Sequence, residues 1–217
     1  MKNPWILFAV GSVVVLAGSL YYASTVTSGA NEGVIVVDHV KGAENPQATL
    51  VKYSDFECIA CAQSYVVVKD VLDVYGDQLA FEYRHFPVIG RNPNAALAAE
   101  AAGQQGKFYE FHDKLFDNFE EWTRSNQSRS LFQSYAEEIG LDINEWRRHM
   151  RSSLLQGKVE SDFQSGRELG ITGTPTFFLD GERMNFDTFE EFIEQIEAAL
   201  GVEQEVNVEI GDIEIVE

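Results

Sequence analysis

The sequence predicts an α/β domain that carries a mainly helical insertion and follows an N-terminal transmembrane helix. A strand–helix–strand pattern at residues 49–87 predicts two parallel strands joined by a helix. A mainly helical block at about 93–153 reads as an insertion, and a hairpin and a last helix close the domain by residue 200. Ahead of the domain, the uncharged run at 5–22 is long enough to cross a bilayer.

The N-terminal segment Trp5–Tyr22 contains no charged residue. At a rise of about 1.5 Å per residue, a helix of this length just reaches across the roughly 30 Å hydrocarbon core. Lys2 and the N-terminal amine precede it, so the positive-inside tendency predicts a cytoplasmic N-terminus and an exported domain. A cleaved signal peptide is the alternative. An uncleaved anchor is favoured because Tyr21 spoils the small-x-small cleavage pattern at Ala23.

Composition limits the class of partner. The chain has 217 residues, a formal net charge of −19 and two cysteines. Because neutralising phosphates needs clustered Lys and Arg, this charge argues against nucleic acid as a partner. We divide the chain into an anchor and tether at 1–32, a folded domain at 33–200 that contains the insertion, and an acidic tail at 201–217. The sequence does not identify the role of that tail.

The two cysteines form the motif Cys58-Ile59-Ala60-Cys61, between a predicted strand and a predicted helix. Cys58 then lies at a helix N-terminus, where free N–H groups and the helix dipole can lower a cysteine pKa from about 8.5 to ~3.5–7.5. A zinc site would need two further ligands, and the histidines show no ligand spacing. A structural disulfide would close a very small loop and stabilise little. A redox dithiol is favoured, because the domain is predicted to lie in an oxidising compartment.

The other elements follow from periodicity. Residues 33–40 are expected to form a strand or extended arm, 41–46 a turn, and 79–87 the second strand of the βαβ unit. Beyond residue 94 the period changes to 3.6, which predicts helices at 95–105, 108–116, 130–139, 143–150 and 154–169. A strand at Thr176–Leu179, a turn at Asp180-Gly181 and an amphipathic helix at 187–200 come last. Thr188 and Glu191 fit a capping box at the start of that helix.

The order of these elements, with Gly173-Thr174-Pro175 before the hairpin, is that of a thioredoxin-like fold with an inserted helical subdomain. The sequence resembles the DsbA-like thiol–disulfide oxidoreductases, especially their membrane-anchored branch. The resembling segments cover most of 41–200 and lie at 51–61, 84–87, 106–116 and 170–178.

The resemblance implies roles for the motif residues. Cys58 would be the attacking or attacked sulfur and Cys61 the resolving one. Thr174-Pro175 would be a cis peptide facing the disulfide, with the Thr174 backbone free to pair with an extended substrate. Ile59 and Ala60 complete the active-site loop. We expect no metal, because the sequence lacks the further ligands that a zinc site needs, and no cofactor.

The resemblance also implies partners. Unfolded or reduced exported proteins would be the substrates. A membrane quinone-linked partner, of the DsbB or vitamin K epoxide reductase-like kind, would reoxidise the dithiol.

The chain departs from the family pattern at two places. Ile59-Ala60 contains neither the proline nor the histidine common in the family, so no imidazole within the motif can stabilise a Cys58 thiolate. Lys52 stands six residues before Cys58, where relatives carry a buried acid. Its ammonium would favour a thiolate, unless it is a strand-end lysine that reaches solvent. Glu57 is the other candidate modulator of the thiolate and could substitute for the missing acid.

The sequence therefore predicts an extracytoplasmic thiol–disulfide oxidoreductase that gives its disulfide to exported proteins. A reductase or isomerase on the same fold is the alternative, because related dithiols span roughly −270 to −120 mV and the intervening dipeptide is a main control. A tethered chaperone or binding module with incidental cysteines is the alternative from another class. His85, His112 and His149 are interpreted as ordinary packed or surface histidines.

Overall fold

A computed structural model gives the structure of the protein and describes residues 29–89 and 93–202. Within them, the strands form one sheet in the order β1-β3-β2-β4-β5. The strands are β1 His39–Gly42, β2 Ala48–Ser54, β3 Leu79–His85, β4 Thr176–Leu179 and β5 Glu182–Arg183. The β2–β3 pair is parallel, and the β1–β3, β2–β4 and β4–β5 pairs are antiparallel.

The helices are α1 Ile59–Tyr75, α2 Asn94–Gly103, α3 Phe108–Asp117, α4 Phe119–Thr123, α5 Ser128–Glu138, α6 Ile143–His149, α7 Ser153–Glu168 and α8 Phe189–Leu200. Helix α1 connects the parallel strands β2 and β3, which confirms the predicted βαβ unit. Helices α2 to α7 lie between β3 and β4, which confirms the helical insert. The short helix α4 was not predicted.

The sheet is covered on both faces because side chains alternate along each strand. Leu50 and Phe81 belong to the larger apolar cluster, to which α1, α3 and α8 contribute. Tyr53 points the other way and joins Phe86 in a second cluster. The ring of Phe163, on α7, stacks on Phe86 with centroids 4.8 Å apart and closes that face.

The last helix begins at the predicted cap. The Thr188 hydroxyl accepts a hydrogen bond from the Glu191 N–H at 3.2 Å. The Glu191 carboxylate reaches back to the N–H of Asp187 at 2.8 Å, one residue before the position that a capping box uses. Both interactions satisfy N–H groups at the helix start.

The N-terminal strand is displaced from its predicted place. The apolar run 34–37 forms no strand, and β1 begins at His39 and extends into the segment predicted to be a turn. The reason is pairing and burial: the backbone pairs with β3 from His39 onwards, opposite Tyr83, and His39 is buried. Ile35, by contrast, is 69% exposed.

The predicted transmembrane helix at 5–22 lies outside the described residues, as does most of the acidic tail. Within 29–89 and 93–202, no helix has both the length and the apolar character needed to cross a bilayer.

Candidate active site

The two cysteines lie at the start of α1, next to the end of β2. Cys58 is the N-cap residue with an extended backbone, and its carbonyl oxygen accepts hydrogen bonds from the N–H groups of Cys61 and Ala62, both at 3.1 Å. Both cysteines are free thiols. Cys58 is 8% exposed and Cys61 is fully buried, so Cys58 is the sulfur that a second molecule can reach.

Asp55 holds the loop that leads to Cys58. Its carboxylate accepts hydrogen bonds from the N–H groups of Glu57 at 3.0 Å, Val88 at 2.8 Å and Ile89 at 2.7 Å. The buried Asp55 thereby ties the turn before α1 to the loop after β3. The sequence analysis missed this role. The available signal was an acidic residue between a strand and a helix N-terminus, where such side chains accept backbone hydrogen bonds.

The loop before β4 brings a distant segment against Cys58. The Thr174–Pro175 peptide bond is cis, which confirms the expectation from the resemblance. The Cys58 thiol donates a hydrogen bond to the Thr174 carbonyl oxygen at 3.3 Å. The fold thus joins the residues that the sequence separates by 116 positions.

The two thiols have opposite acidities. A hydrogen bond from the Cys61 thiol is the largest cause that lowers the pKa of Cys58, to about 6; partial burial opposes it, while Thr174 and the backbone N–H groups of Cys61 and Ala60 assist. Burial, followed by the same hydrogen bond, raises the pKa of Cys61 well above its ordinary value. The arrangement therefore favours a Cys58 thiolate and a Cys61 thiol at neutral pH. The hydrogen bond from Cys58 to the Thr174 carbonyl oxygen belongs to the thiol form and is lost when Cys58 ionises.

Lys52 is buried, so the alternative of a strand-end lysine that reaches solvent was wrong. Its side chain is among the largest fully buried ones, and its ammonium donates a hydrogen bond to the Cys61 carbonyl oxygen at 3.1 Å. The nitrogen lies over the rings of Phe116 at 5.3 Å and Phe177 at 5.7 Å. Burial lowers the pKa of Lys52 to about 8, although Cys61 and Cys58 oppose the shift.

Three further polar side chains lie in the same buried region, and the sequence analysis assigned them no part in the site. Ser54 opposes the rise in the pKa of Cys61. Burial, followed by the charge of Cys61, raises the pKa of Tyr83 well above its ordinary value. The His112 ring lies edge-on to the Tyr83 ring at 5.0 Å, and burial lowers the pKa of His112 to about 4. The sequence pattern could not predict that Ser54, Tyr83 and His112 lie in one region, because their proximity depends on how α3 packs on the sheet.

Glu57 differs from Lys52 in its surroundings. Partial burial, followed by the charge of Asp55, raises the pKa of the Glu57 carboxyl. Among the described hydrogen bonds, the one that Glu57 makes is through its backbone N–H to Asp55. The described hydrogen bonds and ion pairs therefore include no contact between the Glu57 carboxyl and either sulfur.

An open groove of about 490 Å³ extends from the active-site loop. Ala60 and Pro175 line its end next to the cysteines, and Met184, Phe186 and Phe189 supply apolar surface further along. Ile59, between Cys58 and Ala60 in the chain, is 62% exposed. The arrangement has the parts that a thiol–disulfide exchange needs: a low-pKa accessible sulfur, a buried second sulfur and a surface for an extended chain.

Comparison with known proteins places the chain in a family. A family model described as thioredoxin matches residues 35–198. A thioredoxin-like oxidoreductase from Silicibacter pomeroyi DSS-3 has a similar structure, with a TM-score of 0.64 and 25% identity over 76% of this chain and 94% of that one.

Two DsbA-like structures share the fold. Wolbachia pipientis alpha-DsbA1 has a TM-score of 0.66 and 21% identity, covering 79% of this chain and 96% of that one. BdbD from Bacillus subtilis, in its oxidised form, has a TM-score of 0.62 and 22% identity, covering 79% of this chain and 95% of that one. The predicted likeness to DsbA-like proteins is thus confirmed for the fold.

Curated relatives include Na(+)/H(+) antiporter NhaA 3 of Salinispora tropica, 34% identical over 166 residues, which are 71% of this chain and 24% of that protein. NhaA of Herminiimonas arsenicoxydans is 38% identical over 149 residues, 68% of this chain and 23% of that protein. The chain spans about a quarter of the length of these relatives, so their names describe much longer proteins.

Proposed function

The chain belongs to the thioredoxin family, and we propose that it is an extracytoplasmic thiol–disulfide oxidoreductase that introduces disulfide bonds into exported proteins. Cys58 and Cys61 are the catalytic pair in this proposal. The observation that carries it is the placement of Cys58 at the N-terminus of α1, with its pKa lowered to about 6, beside the Thr174–Pro175 loop.

The reaction begins with the Cys58–Cys61 disulfide. A substrate thiolate attacks the Cys58 sulfur, which forms a mixed disulfide and releases the Cys61 thiolate. A second substrate thiolate then attacks the substrate sulfur of the mixed disulfide. The substrate gains its disulfide, and Cys58 leaves as a thiolate. A low pKa makes Cys58 a good leaving group in this second step.

Substrate binding uses the surface around the sulfur. The Thr174 backbone offers polar groups to an extended chain that passes the active site, in the manner of strand addition. The groove lined by Pro175, Met184 and Phe186 gives apolar contact for neighbouring substrate side chains. Ile59, which follows Cys58 in the chain, offers a further exposed apolar side chain near the sulfur. Such a site suits unfolded chains, whose apolar side chains are accessible.

Location and reoxidation complete the proposal. We propose that residues 5–22 anchor the protein with its catalytic domain outside the cytoplasm, since this run is uncharged. A membrane partner linked to quinone, DsbB-like or vitamin K epoxide reductase-like, would accept the two electrons from the dithiol. Labelling of single cysteines placed at residue 31 or later, in a Cys58→Ser, Cys61→Ser background, with a membrane-impermeant reagent on intact cells tests this orientation.

The direct test of activity uses the purified full-length chain, oxidised, and a reduced unfolded protein that contains two cysteines. We expect one disulfide to form in the substrate for each Cys58–Cys61 disulfide consumed. Cys58→Ser should abolish the transfer. If the wild type transfers no disulfide, and the Cys58→Ser variant binds the unfolded protein as well as the wild type does, the chain is instead a binding module. Rapid reshuffling of a scrambled substrate without net oxidation would indicate an isomerase.

A further inference from the structure

The buried lysine beneath the active site has no carboxylate partner among the described residues. The charges that raise the pKa of Lys52 are those of Cys61 and Cys58. A buried ammonium is costly unless an anion compensates it. The anions that this site can form are cysteine thiolates.

From this geometry, and resting on the proposed function, we propose that Lys52 exchanges a proton with Cys61 during each cycle and stabilises the Cys61 thiolate when it leaves. The Lys52 ammonium is fixed at the backbone of Cys61, with a 3.1 Å hydrogen bond to its carbonyl oxygen. It is held on its other sides by the rings of Phe116 and Phe177. Lys52 thus takes the place of the acid that the sequence lacks six residues before Cys58.

The proton balance of the step is simple. When a substrate thiolate attacks Cys58, the bond between the two cysteine sulfurs breaks and Cys61 leaves with the electron pair. The Lys52 ammonium gives its proton to this sulfur, which yields a Cys61 thiol and a neutral amine. Water returns a proton to the amine. For reoxidation the Lys52 ammonium first gives this proton back to water, and the neutral amine then removes the proton from the Cys61 thiol. The Cys61 thiolate attacks the sulfur of the partner-bound Cys58, and the partner sulfur leaves with the electron pair.

The other titratable groups near Lys52 do not compete for this role. Tyr83, from β3, has a pKa raised well above its ordinary value by burial and so remains a phenol. His112, from α3, has a pKa lowered to about 4 by burial and so remains neutral at pH 7. The pKa of Lys52, at about 8, lies between the pKa values of the two thiols, which lets its amine act in both directions.

The sign of the effect on the potential follows from charge. A disulfide carries no charge, whereas the reduced site carries a thiolate that the ammonium stabilises. Lys52 therefore favours the reduced form and makes the protein more oxidising. An acid at this position would do the reverse, because its negative charge disfavours a thiolate.

The experiment compares Lys52→Met, Lys52→Glu and wild type as full-length proteins in glutathione buffers. Lys52→Met should shift the equilibrium toward the disulfide at least tenfold at pH 7, which is about 30 mV for two electrons, and Lys52→Glu should shift it further. The matched control is Lys158→Met, since Lys158 is also buried but pairs with Asp162 at 2.6 Å. The control should leave the equilibrium unchanged.

The rate gives a second readout. A small thiol opens the disulfide at a rate that can be corrected for the ionisation of that thiol. In the wild type, this corrected rate should fall at least tenfold as pH rises through 8. It should not depend on pH in Lys52→Met. The proposal would be overturned if Lys52→Met had the same redox equilibrium as the wild type and the same dependence of the opening rate on pH. An unreactive wild-type disulfide would overturn the proposed function instead.

A measurement on the wild type covers the case in which these variants do not fold. Nitrogen NMR of the lysine side chains follows the titration of the buried Lys52 in both redox states. We expect the reduced protein to bind this proton at least tenfold more tightly, because the thiolate is present only there. Equal affinity in the two redox states would contradict the proposal.

Discussion

The sulfur of Cys58 lies 3.3 Å from the backbone carbonyl oxygen of Thr174. One short contact therefore joins the reactive group on α1 to the loop that precedes β4. A substrate chain that pairs with the Thr174 backbone would place its own sulfur next to Cys58. The same contact joins two parts of the domain that the helical insertion separates in sequence.

The roles of the two cysteines can be separated by trapping. With Cys61→Ser, the Cys58 thiolate should attack a reporter peptide supplied as a disulfide with a small thiol, and the small thiol leaves. The mixed disulfide between Cys58 and the peptide should then accumulate, because no second protein thiol remains to resolve it. Cys58→Ser should give no such species, since Cys61 is fully buried. Non-reducing electrophoresis and mass spectrometry detect the adduct. An adduct that forms in Cys58→Ser at the same yield would show that the assignment is reversed.

The reactivity of Cys58 should persist in mild acid. Because its pKa is lowered to about 6, alkylation of the reduced protein should reach half its maximal rate near pH 6 and be nearly complete by pH 7.5. The control is a small thiol such as glutathione, whose ordinary cysteine pKa is about 8.5. A half-maximal alkylation rate near pH 8.5 would contradict a lowered pKa of Cys58.

The same pKa predicts how the stability of the dithiol form depends on pH. The pKa is depressed in the folded state, so the thiolate stabilises the folded dithiol fully above the unfolded value of about 8.5. This contribution is lost as the pH falls through about 6. The melting temperature of the dithiol, measured relative to a Cys58→Ser, Cys61→Ser double variant, should therefore rise between pH 6 and 8.5. A constant difference across that range would contradict the prediction.

Two glycines of α7 should respond oppositely to alanine. A Cβ at Gly166 would lie 2.7 Å from the Phe86 ring, whereas one at Gly157 would meet nothing within 4 Å. Overpacking of this kind costs about 1–3 kcal/mol, so Gly166→Ala should lower the free energy of unfolding. Gly157→Ala should raise it by about 0.5–1 kcal/mol, because alanine is the better helix former. Equal effects in urea denaturation would contradict the packing of α7 on the sheet.

The buried carboxylate of Glu100 should be important for stability. Burial alone would raise its pKa, but hydrogen bonds from His39 and His85 outweigh burial and lower the pKa to about 2. Glu100→Ala leaves two buried histidines without a partner, and we expect a loss of about 3–5 kcal/mol in the free energy of unfolding. The control is Glu120→Ala, in an exposed pair with Arg124, which should change it by less than about 1 kcal/mol.

The pH dependence of this interaction has a defined sign. Since the pKa of Glu100 is depressed in the folded state, its contribution is present above the unfolded value of about 4.3 and is lost as the pH falls toward 2. The wild type should therefore lose more stability between pH 5 and 3 than Glu100→Ala does. If the free energy of unfolding fell equally in the wild type and in Glu100→Ala between pH 5 and 3, the Glu100 carboxylate would not have the depressed pKa.

Much of the fold could be predicted from the sequence because its signals are local. The period of two at 79–87, the period of 3.6 beyond residue 94 and the turn at Asp180-Gly181 each reflect contacts within one element. The motif Cys58–Cys61 is local as well. The strand at His39–Gly42 was misplaced because its position depends on pairing with β3, while the more apolar residues before it remain exposed.

The lower part of the site could not be predicted, because it depends on long-range packing. Lys52 gives the same sequence signal whether its ammonium reaches solvent or lies under Cys61. Only the packing of Phe116 and Phe177 over it decides between them. Two of the three hydrogen bonds that Asp55 accepts, those from Val88 and Ile89, likewise depend on a loop that is remote in sequence.

The equilibrium redox potential of the full-length protein in glutathione buffers tests the central claim most directly. A Cys58 thiolate stabilised by hydrogen bonds and a buried ammonium favours the reduced form, so we expect a potential well above about −200 mV. That result supports a donor of disulfides to exported proteins. A value near −270 mV, as in thioredoxin, would contradict the oxidase and indicate a reductase on the same fold.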